Sequence, residues 1–420
     1  MSMFRALSVQ VVLALIAGLA VGAWIELQDR HWLSEAARWA QAAGALWLNA
    51  LRMTVVPLVF ALLVKGVASF ADAASTGRLA TRAVLLFTLL IFAAAIYAVA
   101  ASYGLMALWP VDQAAGAAFI AGARTQGAEP VPPPDFVQWI QSLAPANVIS
   151  AAAQDQVLPL VVFAVFFGFA ATRLAPSLRD PLVTFFDAVG EAMIVIVRWV
   201  LLAAPVGVFA LSLGVGANAG LGAAGVLLHY IIFVSLVTIG ITLACYPLAT
   251  LWARLSFAKY AANAAPAQVV AFSTQSSLAS LPAMLESSAA MGVPERVRDL
   301  VLPLAVAVFR FTSPVANLAV CFFIAKLYGI ESGPLHIVSA IFVAFAVSVA
   351  SVGLPGQVSF FASVAPICIA LGLPTDLLPI LLAVEVVPDI FRTIGNVSGD
   401  LVAAAILRRD GGKDAMPADA

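Results

Sequence analysis

Charged residues are scarce in this sequence. Asp, Glu, Lys and Arg make up 10% of its 420 residues, whereas a soluble domain carries about 25%. Hydrophobic residues make up 63%, and the mean hydropathy is +1.04. These values exclude a soluble globular protein and indicate an integral membrane protein. The formal net charge of −1 also excludes a nucleic-acid-binding protein that depends on bulk positive charge.

Cysteine and histidine are also scarce, with three residues of each. Cys245, Cys321 and Cys368 lie inside apolar runs, without the CxxC spacing of a metal site or the pattern of a disulfide framework. The histidines are scattered, and no nucleophile–base pair stands out in the sequence. We therefore expect neither an enzyme nor a resident cofactor.

Apolar runs of membrane-spanning length begin at the N-terminus. Residues 7–25 follow a short basic segment, and no convincing cleavage site closes the run, so we predict a retained first helix and not a signal peptide. The further spans predicted before residue 264 are residues 47–70, 83–109, 157–174, 182–213 and 226–252. Arg78 and Arg82 favour a cytoplasmic location for the short link that contains them and for both termini, with the long link at 111–147 outside. The compact loops favour a bacterial inner membrane.

The pattern changes after residue 264, where polar residues interrupt the apolar segments. Residues 265–291 contain a Ser/Thr cluster that ends at Pro282, and residues 337–373 contain a second break at 351–359. Backbone without regular hydrogen bonds is tolerated at membrane depth only where it lines a cavity or is buried in protein, so each segment is predicted to be a re-entrant hairpin. Residues 300–328, between them, are broken at 309–314. A broken segment followed by a longer helix, occurring twice, indicates a secondary transporter built from inverted repeats.

One face of the last predicted helix carries six polar residues. They are Glu385, Asp389, Arg392, Thr393, Asn396 and Asp400. An α-helix advances roughly 100° per residue, so all six lie in one wedge of roughly 100°. Ionisable groups at membrane depth are costly and indicate a functional site. A structural Asp389–Arg392 ion pair is the alternative, but one pair does not require six polar residues on one face.

The motifs in these segments resemble those of the dicarboxylate/amino acid:cation symporters, the glutamate transporter family. Residues 389–400, DIFRTIGNVSGD, are close to the family's last-helix signature and carry the most specific resemblance. Residues 275–282 and 354–356 resemble the tips of its two hairpins. Residues 54–60 and 204–210 resemble its second and fifth helices, so the resemblance covers essentially the whole chain.

The resemblance implies an all-α polytopic fold with eight transmembrane helices and two re-entrant helical hairpins, arranged as inverted repeats in a bowl-like homotrimer within the lipid bilayer. It also implies an elevator-type mechanism, in which a transport domain moves across the membrane against a fixed scaffold. The expected scaffold consists of helices 1 and 2 at 1–82 and, after an external loop, helices 4 and 5 within 111–220. The expected transport domain consists of helix 3 at 83–110 and of residues 221–408, which contain the hairpins at about 265–291 and 337–373. Residues 409–420 are the expected cytoplasmic tail.

The same resemblance implies roles for individual residues. Arg392 pairs with the side-chain carboxylate of the substrate, and Asp389 holds its amino group. The complete expected substrate set is Ser276, Ser277, Ser313, Gly356, Asp389, Arg392, Thr393 and Asn396. The chemistry agrees independently, because a guanidinium matches a carboxylate bidentately and a carboxylate one turn away suits an ammonium. We therefore expect symport of aspartate or glutamate. The alternatives are a C4-dicarboxylate, a neutral or unusual amino acid, or a transport-impaired sensor or channel.

Two regions depart from the family pattern at its sodium ligands. The seventh helix of the family breaks at Asn-Met-Asp-Gly-Thr, whereas this chain has Phe-Arg-Phe-Thr-Ser at 309–313. The deepest sodium site, on the third helix, aligns with Phe87, Leu90 and Ile91, which offer no oxygen. Asn396 and Asp400 remain as a possible residual sodium site.

Arg310 is the informative change at this break. Its guanidinium could replace a sodium ion electrostatically, serve as a relocated substrate-site arginine, or only hold the helix break. The expected ion-coupling set is Arg310, Glu385, Asn396 and Asp400. We predict that sodium coupling is reduced or absent, with protons entering through Glu385 or Asp400. Na⁺ or H⁺ is then the coupling ion, and Asn317 stands where animal members carry their protonatable glutamate.

Overall fold

The computed structural model describes residues 2–26, 28, 31–75, 77–123, 141, 143–154, 156–220, 222–350 and 356–408. Regular structure in these residues is entirely helical. The helices are α1 (Ser2–Glu26), α2 (His31–Arg52), α3 (Val55–Ser75), α4 (Arg78–Leu108), α5 (Gln113–Ala123), α6 (Val148–Ala153), α7 (Val157–Thr172), α8 (Pro176–Leu202), α9 (Ala204–Ala219), α10 (Gly222–Leu251), α11 (Phe257–Thr274), α12 (Leu281–Ala290), α13 (Glu295–Val308), α14 (Ser313–Tyr328), α15 (Pro334–Ala350), α16 (Gly356–Ala370), α17 (Leu378–Val384) and α18 (Val386–Leu407).

Several of these helices can cross a bilayer. Among the described residues, five stretches are long and apolar enough: Glu35–Ser69, Arg78–Leu108, Gly222–Leu251, Glu295–Tyr328 and Val386–Leu407. The bent pair α8–α9 gives a sixth if it is one span. Because a helix satisfies its own backbone groups, an all-helical chain with several apolar helices has the architecture of a polytopic membrane protein.

Two predicted spans have different boundaries in the structure. The span expected at 47–70 is the end of α2 followed by α3, and α2 begins as early as His31. The span expected at 182–213 is wrong as a single helix, because α8 and α9 meet at a bend of 61°. Pro205 stands in the first turn of α9, where a residue without a backbone N–H is tolerated, so a new helix begins there instead of the old one continuing.

The long link predicted at 111–147 is not entirely irregular. It contains α5, a helix with Phe119, Gly122 and Ala123 buried. Its Pro-rich part at 124–140 lies outside the described residues. A link that buries one of its own faces is part of the folded body, which composition alone does not indicate.

The interrupted segments fall close to their predicted positions. Helices α11 and α12 pack against each other and are joined by residues 275–280. The pair begins at Phe257, eight residues before the expected segment 265–291, and ends at Ala290. Gln275 has a left-handed backbone with φ 51°, which ends α11. Helices α13 and α14 are separated at 309–312 as expected. Helices α15 and α16 also pack together, and most of the break predicted between them, 351–355, lies outside the described residues.

Helix α18 lies at the centre of the C-terminal half. It packs against α10, α11 and α13, with further contacts to α12 and α4. Glu385 links α17 to α18 and keeps helical backbone angles, so the polar face continues through the junction. The surrounding helices therefore remove this face from the membrane and define the interior that the polar residues share.

Helices α1 and α9 make an unusually close contact through glycine. A Cβ atom added at Gly22 would lie 2.1 Å from the carbonyl oxygen of Leu213, and one at Gly216 would lie 2.2 Å from that of Leu19. Backbones approach this closely only where side chains are absent, which is a common way for helices to associate in membranes.

We predict that Gly22→Ala and Gly216→Ala each destabilise the protein by about 1–3 kcal/mol, because the added methyl group must push two backbones apart. Gly104→Ala on α4 is the matched control, since a Cβ atom there meets nothing within 4 Å. The control should be neutral or slightly stabilising. The measurement is the apparent melting temperature in detergent, and equal melting temperatures for all three variants would contradict the predicted contact.

Candidate functional site

The polar face of α18 is buried almost completely. Glu385, Arg392, Asn396 and Asp400 are each no more than 3% exposed, and Thr393 is also buried. The side chain of Asp389 is the most accessible charged one on this face, at 15%. Burying an ion is costly unless partners compensate for the lost water, so the partners decide what the face can do.

Arg392 is held by two carboxylates of its own helix region. Its Nη2 atom donates a hydrogen bond of 2.6 Å to Glu385 Oε1, and its Nη1 atom lies 3.7 Å from Asp389 Oδ1. The other oxygen of Glu385, Oε2, accepts a 2.6 Å hydrogen bond from the hydroxyl of Tyr230 on α10. The Nε–H of Arg392 is buried and has no hydrogen-bond partner among the described residues. The guanidinium thus retains donor capacity that a further anion could use.

The break between α13 and α14 is attached to α18 through Thr312. The backbone N–H of Thr312 donates to Asn396 Oδ1 at 2.9 Å. Its hydroxyl lies 2.6 Å from the carbonyl oxygen of Arg392 and 2.9 Å from Asn396 Oδ1, and can donate to one of them at a time. Asn396 therefore satisfies a backbone group that the interrupted helix cannot.

Two glycines of α18 allow the break to approach so closely. A Cβ atom at Gly395 would lie 2.4 Å from Thr312 Cγ2 and from Thr242 Oγ1. One at Gly399 would lie 2.8 Å from Phe311 Cβ. The glycines in the motif at 389–400 thus provide space for the residues of the break.

Asp400 is a buried charge without a hydrogen-bond partner among the described residues. It is 1% exposed, and neither of its carboxylate oxygens accepts a hydrogen bond from a described residue. The cation that acts on it electrostatically is Arg310, which also interacts with Asp389. The break thus brings a positive charge to two of the three carboxylates on this face.

Aromatic rings fill the space between α4 and the break. Phe87 stacks on Phe309 with ring centroids 4.5 Å apart and planes inclined by 12°, and Phe309 in turn contacts Phe311 at 5.7 Å. Leu90 and Ile91, one turn further along α4, are buried as well. Carbon atoms occupy this region, and none of these side chains offers an oxygen to a cation.

The other expected substrate residues make few of the hydrogen bonds described above. In the described part of the chain, no hydrogen bond joins Ser276 or Ser277 to α18. Ser276 instead accepts a hydrogen bond at Oγ from the backbone N–H of Ala279, at 3.2 Å. Ser313 is buried at the start of α14, and Gly356 begins α16.

Tyr230 and Thr312 were not among the residues expected from the sequence. Tyr230 is separated from Glu385 by 155 residues, and nothing in its apolar neighbourhood marks it. Thr312 carried a usable signal, because it lies inside the predicted helix break where backbone groups lose their helical partners.

We predict that Thr312→Val destabilises the protein by about 1–3 kcal/mol, because the hydroxyl donor to α18 is lost at a buried position. Thr312→Ser keeps the hydroxyl and should retain most of the stability. The measurement is the apparent melting temperature, together with hydrogen exchange at the break. A Thr312→Val protein as stable as the Thr312→Ser protein would show that this contact is not required.

Comparison with known proteins agrees with this architecture. The model of the sodium:dicarboxylate symporter family matches residues 7–410. The chain is 28% identical to the proton/glutamate-aspartate symporter of Escherichia coli, over 95% of this chain and 92% of that protein. It is 25% identical to the proton/sodium-glutamate symport protein of Bacillus subtilis, over 96% and 92% of the two chains. It is also 28% identical to the human neutral amino acid transporter A, over 87% and 74%. Because the family model covers nearly the whole sequence, the chain belongs to the sodium:dicarboxylate symporter family.

Proposed function

We propose that this protein is a secondary active symporter of acidic amino acids. The observation that carries the proposal is the pairing of Arg392 with Asp389 on one buried face, at 3.7 Å. A guanidinium and a carboxylate at this separation complement the side-chain carboxylate and the ammonium group of aspartate or glutamate. The names of the relatives from Escherichia coli and Bacillus subtilis support the same substrate class.

The proposed choice of substrate follows from the partners that each candidate substrate would offer to Arg392 and Asp389. An acidic amino acid gives Arg392 a carboxylate and Asp389 an ammonium. A plain dicarboxylate would place a second negative charge beside Asp389 in a site that excludes water, which is costly. Thr393 and Asn396 complete the polar contacts in this proposal, with the tips of the two hairpins at Ser276–Ser277 and Gly356 closing over the substrate and Ser313 nearby.

A neutral amino acid is the second candidate substrate. It is favoured by the short contact between Arg392 and Glu385, because an arginine already neutralised by the protein has less need of a substrate carboxylate. The human neutral amino acid transporter among the relatives is consistent with this candidate. Competition of L-aspartate uptake by L-serine, L-alanine and succinate separates the three classes.

The proposed movement divides the helices into two groups. Helices α1, α2, α3, α7, α8 and α9 form the fixed scaffold of a homotrimer. Helix α4 and helices α10–α18 form the transport domain, which carries the polar face across the membrane as an elevator. In this proposal α11–α12 and α15–α16 are re-entrant hairpins, eight further segments span a bacterial inner membrane, and both termini are cytoplasmic.

Charge balance supports a coupled proton. Glu385, Asp389 and Asp400 face the guanidinium groups of Arg310 and Arg392, so the site has one net negative charge when all five groups are ionised. An acidic amino acid adds another. Uncompensated charge in a buried site is costly. Substrate binding therefore favours the uptake of a cation, and protonation of Glu385 or Asp400 supplies that positive charge.

Sodium has less support as that cation. The rings of Phe87 and Phe309 occupy the region where the family resemblance expects sodium ligands, and Asn396 Oδ1 is already engaged by Thr312. Arg310 provides a fixed positive charge beside Asp400 in place of a bound ion. A residual sodium site at Asn396 and Asp400 remains the competing proposal.

We expect proteoliposomes containing the protein to accumulate L-aspartate when a pH gradient is imposed and to be indifferent to a sodium gradient at fixed pH. Arg392→Lys should reduce uptake at least about tenfold, because lysine lacks the planar fork that binds a carboxylate. The measurement is uptake of radiolabelled substrate with the two gradients applied separately.

Two outcomes would contradict parts of this proposal. Uptake driven only by sodium would mean that Asn396 and Asp400 suffice as a sodium site and that proton coupling is wrong. Aspartate binding without uptake under either gradient would indicate a sensor or channel and remove the symporter itself.

We further expect Arg310→Met to destabilise the protein by about 3–5 kcal/mol, because Asp400 is left buried without its compensating charge. Asp400→Asn should recover much of this loss in the double variant, since the two residues then act as a coupled pair. The measurement is a double-mutant cycle of apparent melting temperatures, with substrate KM determined for each variant that folds. Additive effects on stability, with a raised KM for Arg310→Met alone, would instead make Arg310 a substrate-site residue.

A further inference from the structure

A hydrocarbon-lined crevice lies among four helices. Helices α3, α4, α7 and α15 all contribute side chains to its lining. Its volume is about 240 Å³, and nine of its ten lining side chains are hydrocarbon. The tenth, Thr88, donates its hydroxyl to the carbonyl oxygen of Val84 at 2.9 Å and so offers no free donor to the crevice.

The walls of the crevice hold their shape through close packing. Phe92 of α4 stacks on Phe345 of α15 with ring centroids 4.3 Å apart. Gly168 lets α7 approach α3 so closely that an added Cβ atom would lie 2.8 Å from Val67 Cβ. The space between the walls persists because Ala346, at the position facing it on α15, is too small to fill it.

The crevice opens on the apolar outer surface of the protein. Phe169 lines it and is half exposed, and Phe166 on the same helix is 71% exposed. Leu85 and Leu89 of α4, the helix that carries the lining residues Thr88 and Phe92, are also exposed. In a membrane-spanning chain these side chains face the acyl chains of the bilayer, so hydrocarbon is the medium at the mouth of the crevice.

Water is a poor occupant of this space. A buried water needs two to four polar partners, and the lining offers at most one, the hydroxyl oxygen of Thr88. An engineered apolar cavity of about 150 Å³ stays dry and binds benzene. A larger crevice that stayed empty would forfeit the dispersion contacts of its aromatic lining, so a hydrocarbon guest is favoured.

We propose that this crevice binds one acyl chain of a membrane phospholipid. The chain enters between α4 and α7 and lies against the four phenylalanine rings that line the space. A second consequence rests on the proposed transport function. Because α15 and α4 belong to the proposed moving domain and α3 and α7 to the scaffold, the bound chain lies between parts that slide past each other, and its occupancy sets the rate of that movement.

The experiment reconstitutes the full-length protein in lipid nanodiscs that contain phosphatidylcholine with a diazirine on one acyl chain. After irradiation, labelled peptides are identified by mass spectrometry. We expect the peptides of α7 and α15 to be labelled more than the peptide of α10 that carries Leu243, which is 58% exposed and belongs to the ordinary lipid-facing surface.

The decisive variant is Ala346→Trp, which fills the crevice. We expect it to reduce labelling of the crevice-lining residues Val165, Phe342 and Val349 about tenfold, whereas labelling of Phe166 on the outer surface of α7 should persist. Leu243→Trp is the matched control and should leave this labelling unchanged. Thr88→Leu fills the space partly and should give an intermediate reduction, which keeps the test valid if the tryptophan variant does not fold.

The outcomes separate this inference from the proposed function. Labelling of α7 and α15 no stronger than that of α10, or unchanged in folded Ala346→Trp and in Thr88→Leu, would overturn the lipid site whatever the protein transports. Selective labelling that Ala346→Trp abolishes, in a protein that takes up no substrate, would support the lipid site and contradict the transporter. Altered uptake rates in the crevice variants, with an unchanged KM for substrate, would support both.

Discussion

The ion pairs on the buried face of α18 constrain the rest of the C-terminal half. Arg392 and Glu385 are both almost fully buried and in contact at 2.6 Å, in a region where an unpaired charge would be very costly. Two neighbouring elements contribute polar or charged groups to this face. Helix α10 contributes the hydroxyl of Tyr230, and the break between α13 and α14 contributes Thr312 and Arg310. The packing around α18 is thus arranged to satisfy polar groups as much as to bury apolar ones.

The interruption at 309–312 is what allows that segment to supply such groups. In a continuous helix, the backbone N–H groups would donate to carbonyl oxygens of the same helix, and only side chains would contact α18. The break releases the N–H of Thr312, which Asn396 accepts, and places Arg310 within electrostatic reach of Asp389 and Asp400. Gly395 and Gly399 keep α18 free of side chains where this irregular segment crosses it. The cost of an interrupted helix is offset by hydrogen bonds that join it to α18.

The sequence was most informative where a pattern lies within one element. The polar face from Glu385 to Asp400 could be predicted because helical periodicity alone brings its residues together. The break near 309 could be predicted from its local composition. The role of Tyr230 could not be predicted, because its hydrogen bond with Glu385 depends on tertiary packing between residues 155 positions apart. The bend between α8 and α9 was missed for a different reason, since the run from 182 to 213 is apolar enough to span as one helix and Pro205 falls where a helix start also accepts it.

If Arg310 takes the place of a bound ion, as proposed, an energetic consequence follows for the transport cycle. An ion that crosses the membrane contributes about 2.3 kcal/mol per elementary charge for each 100 mV of potential. A guanidinium attached to the chain makes the same crossing but returns with the empty domain, so its net contribution over a cycle is zero. Arg310 can therefore stabilise Asp400 and yet supply no driving force. In the proposed cycle, the energy for accumulation then comes from a cation that is released on the far side, and the carboxylates of this site are the groups proposed to take up and release a proton.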